Sequence, residues 1–120
     1  MSDVTENSFF IERKVLITGG AGCLGSHLAE KLLSMGALVM IYDNFMRGEE
    51  SERIVQEVQA HPNARKLKVV KGDILNFELL KKTIKDQEII FHFAALPSHR
   101  LALRNPREYA LVDLLGTVNV

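Results

Sequence analysis

The chain has 120 residues, of which 47% are hydrophobic and 25% charged, enough for one soluble domain and too apolar for a disordered segment. Lys plus Arg and Asp plus Glu each total 15, a balance that excludes the basic surface of a nucleic-acid or anionic-lipid binder. No apolar run approaches the ~20 residues that a bilayer span requires, so no membrane partner is expected.

In chain order, residues 1–12 read as a loosely held leader, followed by a domain over residues 13–120. Residues 1–7 are polar and acidic and lack the basic start and apolar stretch of a secretory signal, which makes the cytoplasm the expected setting. Phe9, Phe10 and Ile11 could pack onto the body. Lys14–Thr18 reads as a buried strand, and residues 23–35 as a helix ended by Gly36. Leu38–Asp43 is a second strand and Glu49–Gln59 a short helix, with a break at His61-Pro62-Asn63. Leu67–Lys71 is a third strand, and residues 77–85 form a helix that Asn76 can cap. Residues 88–93 are a fourth strand, and Pro106 opens a helix still running at Val120. Short apolar strands alternating with helices imply right-handed crossovers and a parallel sheet covered on both faces.

The first strand leads directly into Thr18-Gly19-Gly20-Ala21-Gly22-Cys23-Leu24-Gly25, and that loop into a helix. In this setting Gly19 permits the tight turn, Gly22 lets a pyrophosphate approach the backbone without meeting a Cβ, and Gly25 lets the helix pack against the sheet. The N–H groups at the helix start, including those of Cys23 and Leu24, then face the phosphates. Asp43 closes the second strand near the ~20-residue spacing at which a carboxylate accepts from the adenosine ribose hydroxyls. It would repel a 2′-phosphate, which favours NAD over NADP; Arg47 tempers this, since it could reach a phosphate. The other reading of Asp43 is as the cap of the following turn. The fold these signals specify is α/β, a Rossmann-type doubly wound parallel sheet of which strands 3-2-1-4 are present.

These residues resemble the extended short-chain dehydrogenase/reductase family, in particular its nucleotide-sugar epimerases and dehydratases, over residues 14–120. The family's Thr-Gly-x-x-Gly-x-x-Gly loop is matched by Thr18, Gly19, Gly22 and Gly25. Asp43-Asn44-Phe45 resembles its turn around the adenosine. Gly72-Asp73-Ile74 resembles the step whose Asp meets the adenine amino group. Phe91-His92-Phe93-Ala94-Ala95 resembles the fourth strand, whose small C-terminal residues line the nicotinamide side, and Asn105-Pro106 through Gly116-Thr117-Val118-Asn119 resembles the family's following helix. Ala94-Ala95-Leu96-Pro97-Ser98 leans toward sugar-nucleotide 4-epimerases. The resemblance implies NAD as cofactor, a nucleotide-sugar substrate, and transient hydride transfer at a sugar carbon.

The departures are specific. Cys23 stands where an aromatic is usual and is either a small packing residue or a reactive thiol. As the single cysteine it supports neither a disulfide framework nor a metal cluster. Asp113 stands where the family has Asn near the cofactor. The family's catalytic Tyr-x-x-x-Lys pair is not found: Tyr42 and Tyr109 are followed four positions on by Met46 and Asp113. No catalytic residue is therefore assigned. His92 reads as a packed histidine, His27 needs no role, and Lys81, Lys82, Lys85 and Asp86 read as a wet helix face. His99, Arg100 and Arg104 are either contacts to a substrate diphosphate or solvated loop charges. With strands 3-2-1-4 alone, the fourth would be an edge, so the chain is expected to be a truncated, self-associating or dimeric piece of a longer enzyme. Two alternatives stand beside the epimerase or dehydratase reading: an NAD(P)-dependent reductase of the same superfamily, and a non-catalytic dinucleotide-binding or sensing module.

Overall fold

A computed structural model of the chain describes residues 8–94, 118 and 120. Strands β1 (Lys14–Thr18), β2 (Leu38–Asp43), β3 (Leu67–Lys71) and β4 (Ile89–His92) form one sheet in the order β3-β2-β1-β4. Every pairing is parallel. Between the strands lie helices α1 (Cys23–Ser34), α2 (Glu49–Gln59) and α3 (Phe77–Ile84), with a short 3-10 turn at Ala64–Lys66. The elements expected up to residue 93 are all present, while the helix expected from Pro106 lies outside the described residues; the first and third helices each stop one residue early, and the fourth strand is shorter by one residue at each end.

The period-two alternation of a strand divides the core between two faces. Val15 and Ile17 of β1 and Val39 and Ile41 of β2 pack with Ala29, Leu32 and Leu33 of α1 and Val58 of α2. Leu16 and Tyr42, one residue out of phase, pack on the other face with Ile74 and with Leu80 of α3. The topology explains why the helices divide this way. The chain steps outward from β1 to β2 to β3 and then returns past both to β4. Crossovers of a single hand then place α3 on the face opposite α1 and α2.

Helix ends follow local chemistry. Gly36, at φ +82°, terminates α1: its N–H donates to the Leu33 carbonyl and that of Ala37 to the Leu32 carbonyl, a Schellman pair. Asn76 caps α3 by accepting from the Leu79 N–H at 3.2 Å. The described part of the leader is tied to the body: Phe10 packs against the first core, and the Glu12 N–H donates to the Gly36 carbonyl at 2.9 Å. Phe9 and Ile11 are exposed.

The register aligns Thr18 with Tyr42 and His92, and Asp43 with Lys71. All four strands therefore end along one edge. In an open α/β sheet that carboxyl edge is where ligands bind, at the point where strand order reverses; here the reversal lies between β1 and β4.

Candidate dinucleotide site

The loop joining β1 to α1 is shaped by what its glycines exclude. Gly19 has φ +73°, and a Cβ there would lie 2.8 Å from the Ala94 nitrogen and the Phe93 carbonyl carbon. The turn and the close approach of β4 both require its absence. A Cβ on Gly25 would overlap the Gly19 carbonyl oxygen, so α1 can start where it does only with glycine in its first turn. Gly22 differs. Its Cβ would meet nothing nearer than the Gly19 oxygen at 3.3 Å, and its outer side lines the cleft.

A cleft of about 380 Å³ opens at this edge, within the size range of small-molecule sites. Gly19, Gly22, Cys23, Leu24 and Gly25 line one side of it. Asp43 and Asn44 close the end of β2, Asp73 and Ile74 follow β3, and Phe93 and Ala94 follow β4. Eleven residues expected at the site from sequence are thus brought to one cavity. Phe45 is not among its lining: its N–H is engaged by Asp43, and its ring sits 5.8 Å from the Lys71 ammonium. Residues 95–117 and Asn119, among them Ala95 and the others named there from sequence, lie outside the described residues.

The N-terminus of α1 faces the loop without a side-chain cap and without an acidic residue in its first turn. By contrast α2 carries Glu49, Glu50 and Glu52 there, and α3 has its Asn76 cap and Glu78. First-turn amides have no helical partner, and the dipole adds partial positive charge. At α1 that charge is left uncompensated beside Gly22, a cradle that fits a diphosphate.

Of the two readings of Asp43 that sequence left open, the structure shows the turn cap. Its Oδ1 accepts from the Phe45 N–H at 2.8 Å, which caps the turn. Its Oδ2 accepts from the Ala21 N–H at 3.0 Å, which ties β2 to the glycine loop. A carboxylate has about four acceptor directions, so two remain for ribose hydroxyls. Asp73 is held in a similar way, with Oδ1 accepting from Leu75 N–H at 2.9 Å.

Behind the cleft, the buried Thr18 hydroxyl accepts from the N–H groups of Phe93 at 3.1 Å and Ala94 at 3.2 Å. Its one proton is then free for His92 Nδ1, 2.6 Å away. Burial holds the His92 imidazole below its ordinary pKa, consistent with a neutral ring. The packed histidine expected from sequence is therefore a half-buried ring bonded to Thr18. At the other end Cys23 is exposed, its sulfur 3.9 Å from His27 Nδ1.

Sequence reasoning assigned no site role to Ala21, Tyr42, Met46, Ser51 or Gly72, all of which line the cleft, and named Arg47 only as a residue able to reach a phosphate. Tyr42 had one available signal, a hydroxyl following the apolar run of residues 38–41. It donates to the Asp73 carbonyl at 2.7 Å and occupies the space that a Gly72 Cβ would need. Burial and the nearby Asp73 carboxylate push its phenol pKa up.

Among the described residues no helix is long and apolar enough to cross a membrane. Residues 16–120 match a family model described as GDP-mannose 4,6 dehydratase. A bifunctional UDP-glucose 4-epimerase and UDP-xylose 4-epimerase of Pisum sativum is 37% identical over 112 residues, covering 90% of this chain and 32% of the relative. The structure of an epimerase from the methanogen Methanothermobacter thermautotrophicus superposes with a TM-score of 0.82 at 36% identity, over 97% of this chain and 32% of that one. A UDP-glucose 4-epimerase from Stenotrophomonas maltophila, solved with NAD and formylated UDP-arabinopyranose, gives 0.73 at 28% identity, over 90% and 32%. The chain thus spans about a third of the length of these relatives. With strand order, loop and sequence in agreement, the chain belongs to the GDP-mannose 4,6 dehydratase family, among the nucleotide-sugar epimerases and dehydratases of the extended short-chain dehydrogenase/reductases.

Proposed function

We propose that residues 13–120 are the NAD-binding portion of a nucleotide-sugar epimerase or dehydratase. The observation that carries this reading is the uncapped, acid-free start of α1, opening on a cleft beside a glycine whose outer face is clear. The N–H groups of Cys23, Leu24 and Gly25 would hold the diphosphate by charge-assisted bonds. Asp43, anchored by Ala21 and Phe45, would accept from the adenosine ribose. Asp73 and Ile74 would border the adenine, and Phe93, Ala94 and Ala95 the nicotinamide side.

Bound NAD would supply a transient hydride acceptor for a sugar carbon. The chain's own part is placement. The Thr18 hydroxyl clamps the Phe93 and Ala94 amides, which fixes the backbone at the reacting end of the cleft. No Tyr-x-x-x-Lys occurs in the 120 residues, so proton transfer is assigned to another part of the parent enzyme. Self-association, as a dimer or larger assembly, and a cytoplasmic setting go with this reading. β4 pairs only with β1 among the described residues, an edge that suits pairing with a second copy.

Isothermal titration of the chain with NAD is the direct test. Heat of binding should be measurable for the unsubstituted chain and abolished by Gly22→Val, which fills the approach to the α1 amides. Equal binding by a folded Gly22→Val variant overturns the assignment.

A further inference from the structure

At the ribose end of the cleft the charges are arranged in two layers. The inner one is Asp43, whose carboxylate is fixed by two backbone amides and cannot swing aside. The outer one begins at Arg47, which also lines the cleft. Its position is set by a closed turn, with the Gly48 N–H donating to the Phe45 carbonyl at 2.9 Å. The Arg47 guanidinium lies 3.6 Å from Oε1 of Glu50, in the first turn of α2, and both side chains are about half exposed. Lys71 also stands nearby, against the Phe45 ring.

We propose that Glu50 and Arg47 form a second selectivity element at this site: Glu50 engages the guanidinium and so withholds the cation that a 2′-phosphate on the adenosine ribose would need. The proposal rests on the dinucleotide reading given above. Asp43 by itself repels a 2′-phosphate, but Arg47, within reach of the same cleft, works against it by offering fork-shaped phosphate recognition. Pairing with Glu50 reduces that attraction. An unphosphorylated ribose has no use for the Arg47 charge, so its binding is indifferent to the pair. Glu50 therefore acts as a positioning residue through Arg47. Exposed ion pairs are weak, so the effect sought is small and selective.

The experiment titrates the chain with NAD and with NADP at low ionic strength, in the unsubstituted form and as Glu50→Gln, Arg47→Gln and the double variant. Glu50→Gln should tighten NADP by about two- to fivefold and leave NAD within about twofold. Because Glu50 already holds the guanidinium, Arg47→Gln by itself should weaken NADP by no more than about twofold and leave NAD within the same range. In the double variant the gain from Glu50→Gln should vanish. The proposal is overturned if that gain survives loss of Arg47, if Glu50→Gln moves both ligands equally, or if NAD binds and no variant takes NADP. Failure of the unsubstituted chain to bind NAD would overturn the dinucleotide reading itself, and this inference with it.

Discussion

The carboxylate of Asp43 accepts from the backbone N–H of Ala21 at 3.0 Å, a bond from the end of β2 to the glycine loop after β1. Together with the bond from the Phe45 N–H at 2.8 Å, it makes one side chain at the proposed ribose site a brace for two loops. Asp43→Ala should therefore lower stability by about 1–2 kcal/mol, since two amides lose their acceptor at a half-buried site. It should also remove NAD binding. Urea unfolding and titration calorimetry read the two effects separately. A variant as stable as the parent would show that neither bond braces the loops.

Gly22 and Gly25 share a motif but should fail in different ways. Gly25→Ala puts a Cβ onto the Gly19 carbonyl oxygen, an overpacking that should cost about 1–3 kcal/mol. Gly22→Ala meets only a 3.3 Å neighbour, so its thermal midpoint should stay close to the parent's while NAD affinity falls. Calorimetric scans beside binding isotherms check this. Equal losses of stability in both variants would refute the division of roles.

His92 makes stability depend on pH. Its folded pKa lies below the ordinary 6.5 because burial disfavours the charged ring. The unfolded chain therefore takes up a proton first as pH falls. Stability is full above about 6.5 and declines on acidification toward the folded pKa, with a slope of at most ~1.4 kcal/mol per pH unit from this group. In His92→Gln that part of the slope between pH 7 and 5 should disappear. An unchanged slope in denaturant melts would remove His92 as its source.

Tyr42→Phe should cost about 0.5–1.5 kcal/mol, because the phenol's bond to the Asp73 carbonyl is lost while the ring stays packed with Leu16 and Leu80. The Asp73 carbonyl keeps its bond from the Asn76 N–H, which limits the damage. The same variant should lose the part of alkaline destabilisation that comes from Tyr42. A raised phenol pKa means that stability is full below the ordinary value of 10.0 and falls as pH rises through the folded one. Chemical unfolding at pH 8 and above compares the two proteins.

Much was legible in residue order because it rests on local rules. Alternating apolar runs such as Val15-Leu16-Ile17, the Gly36 stop and the Asn76 cap define strands and helices through steric and hydrogen-bonding preferences that act within a few positions. The missing Cβ of Gly25 likewise answers the Gly19 carbonyl only six positions back, whereas that of Gly19 answers Phe93 and Ala94, far off in the sequence. Other features depend on neighbours far apart in sequence. That Asp43 braces the loop at Ala21, that Thr18 clamps Phe93 and Ala94, and that Tyr42 fills the place beside Gly72 follow from parallel register. Only the packed sheet brings those pairs within bonding distance, so tertiary structure decided them: hydrogen bonds and close contacts act over a few ångströms, whatever the separation along the chain.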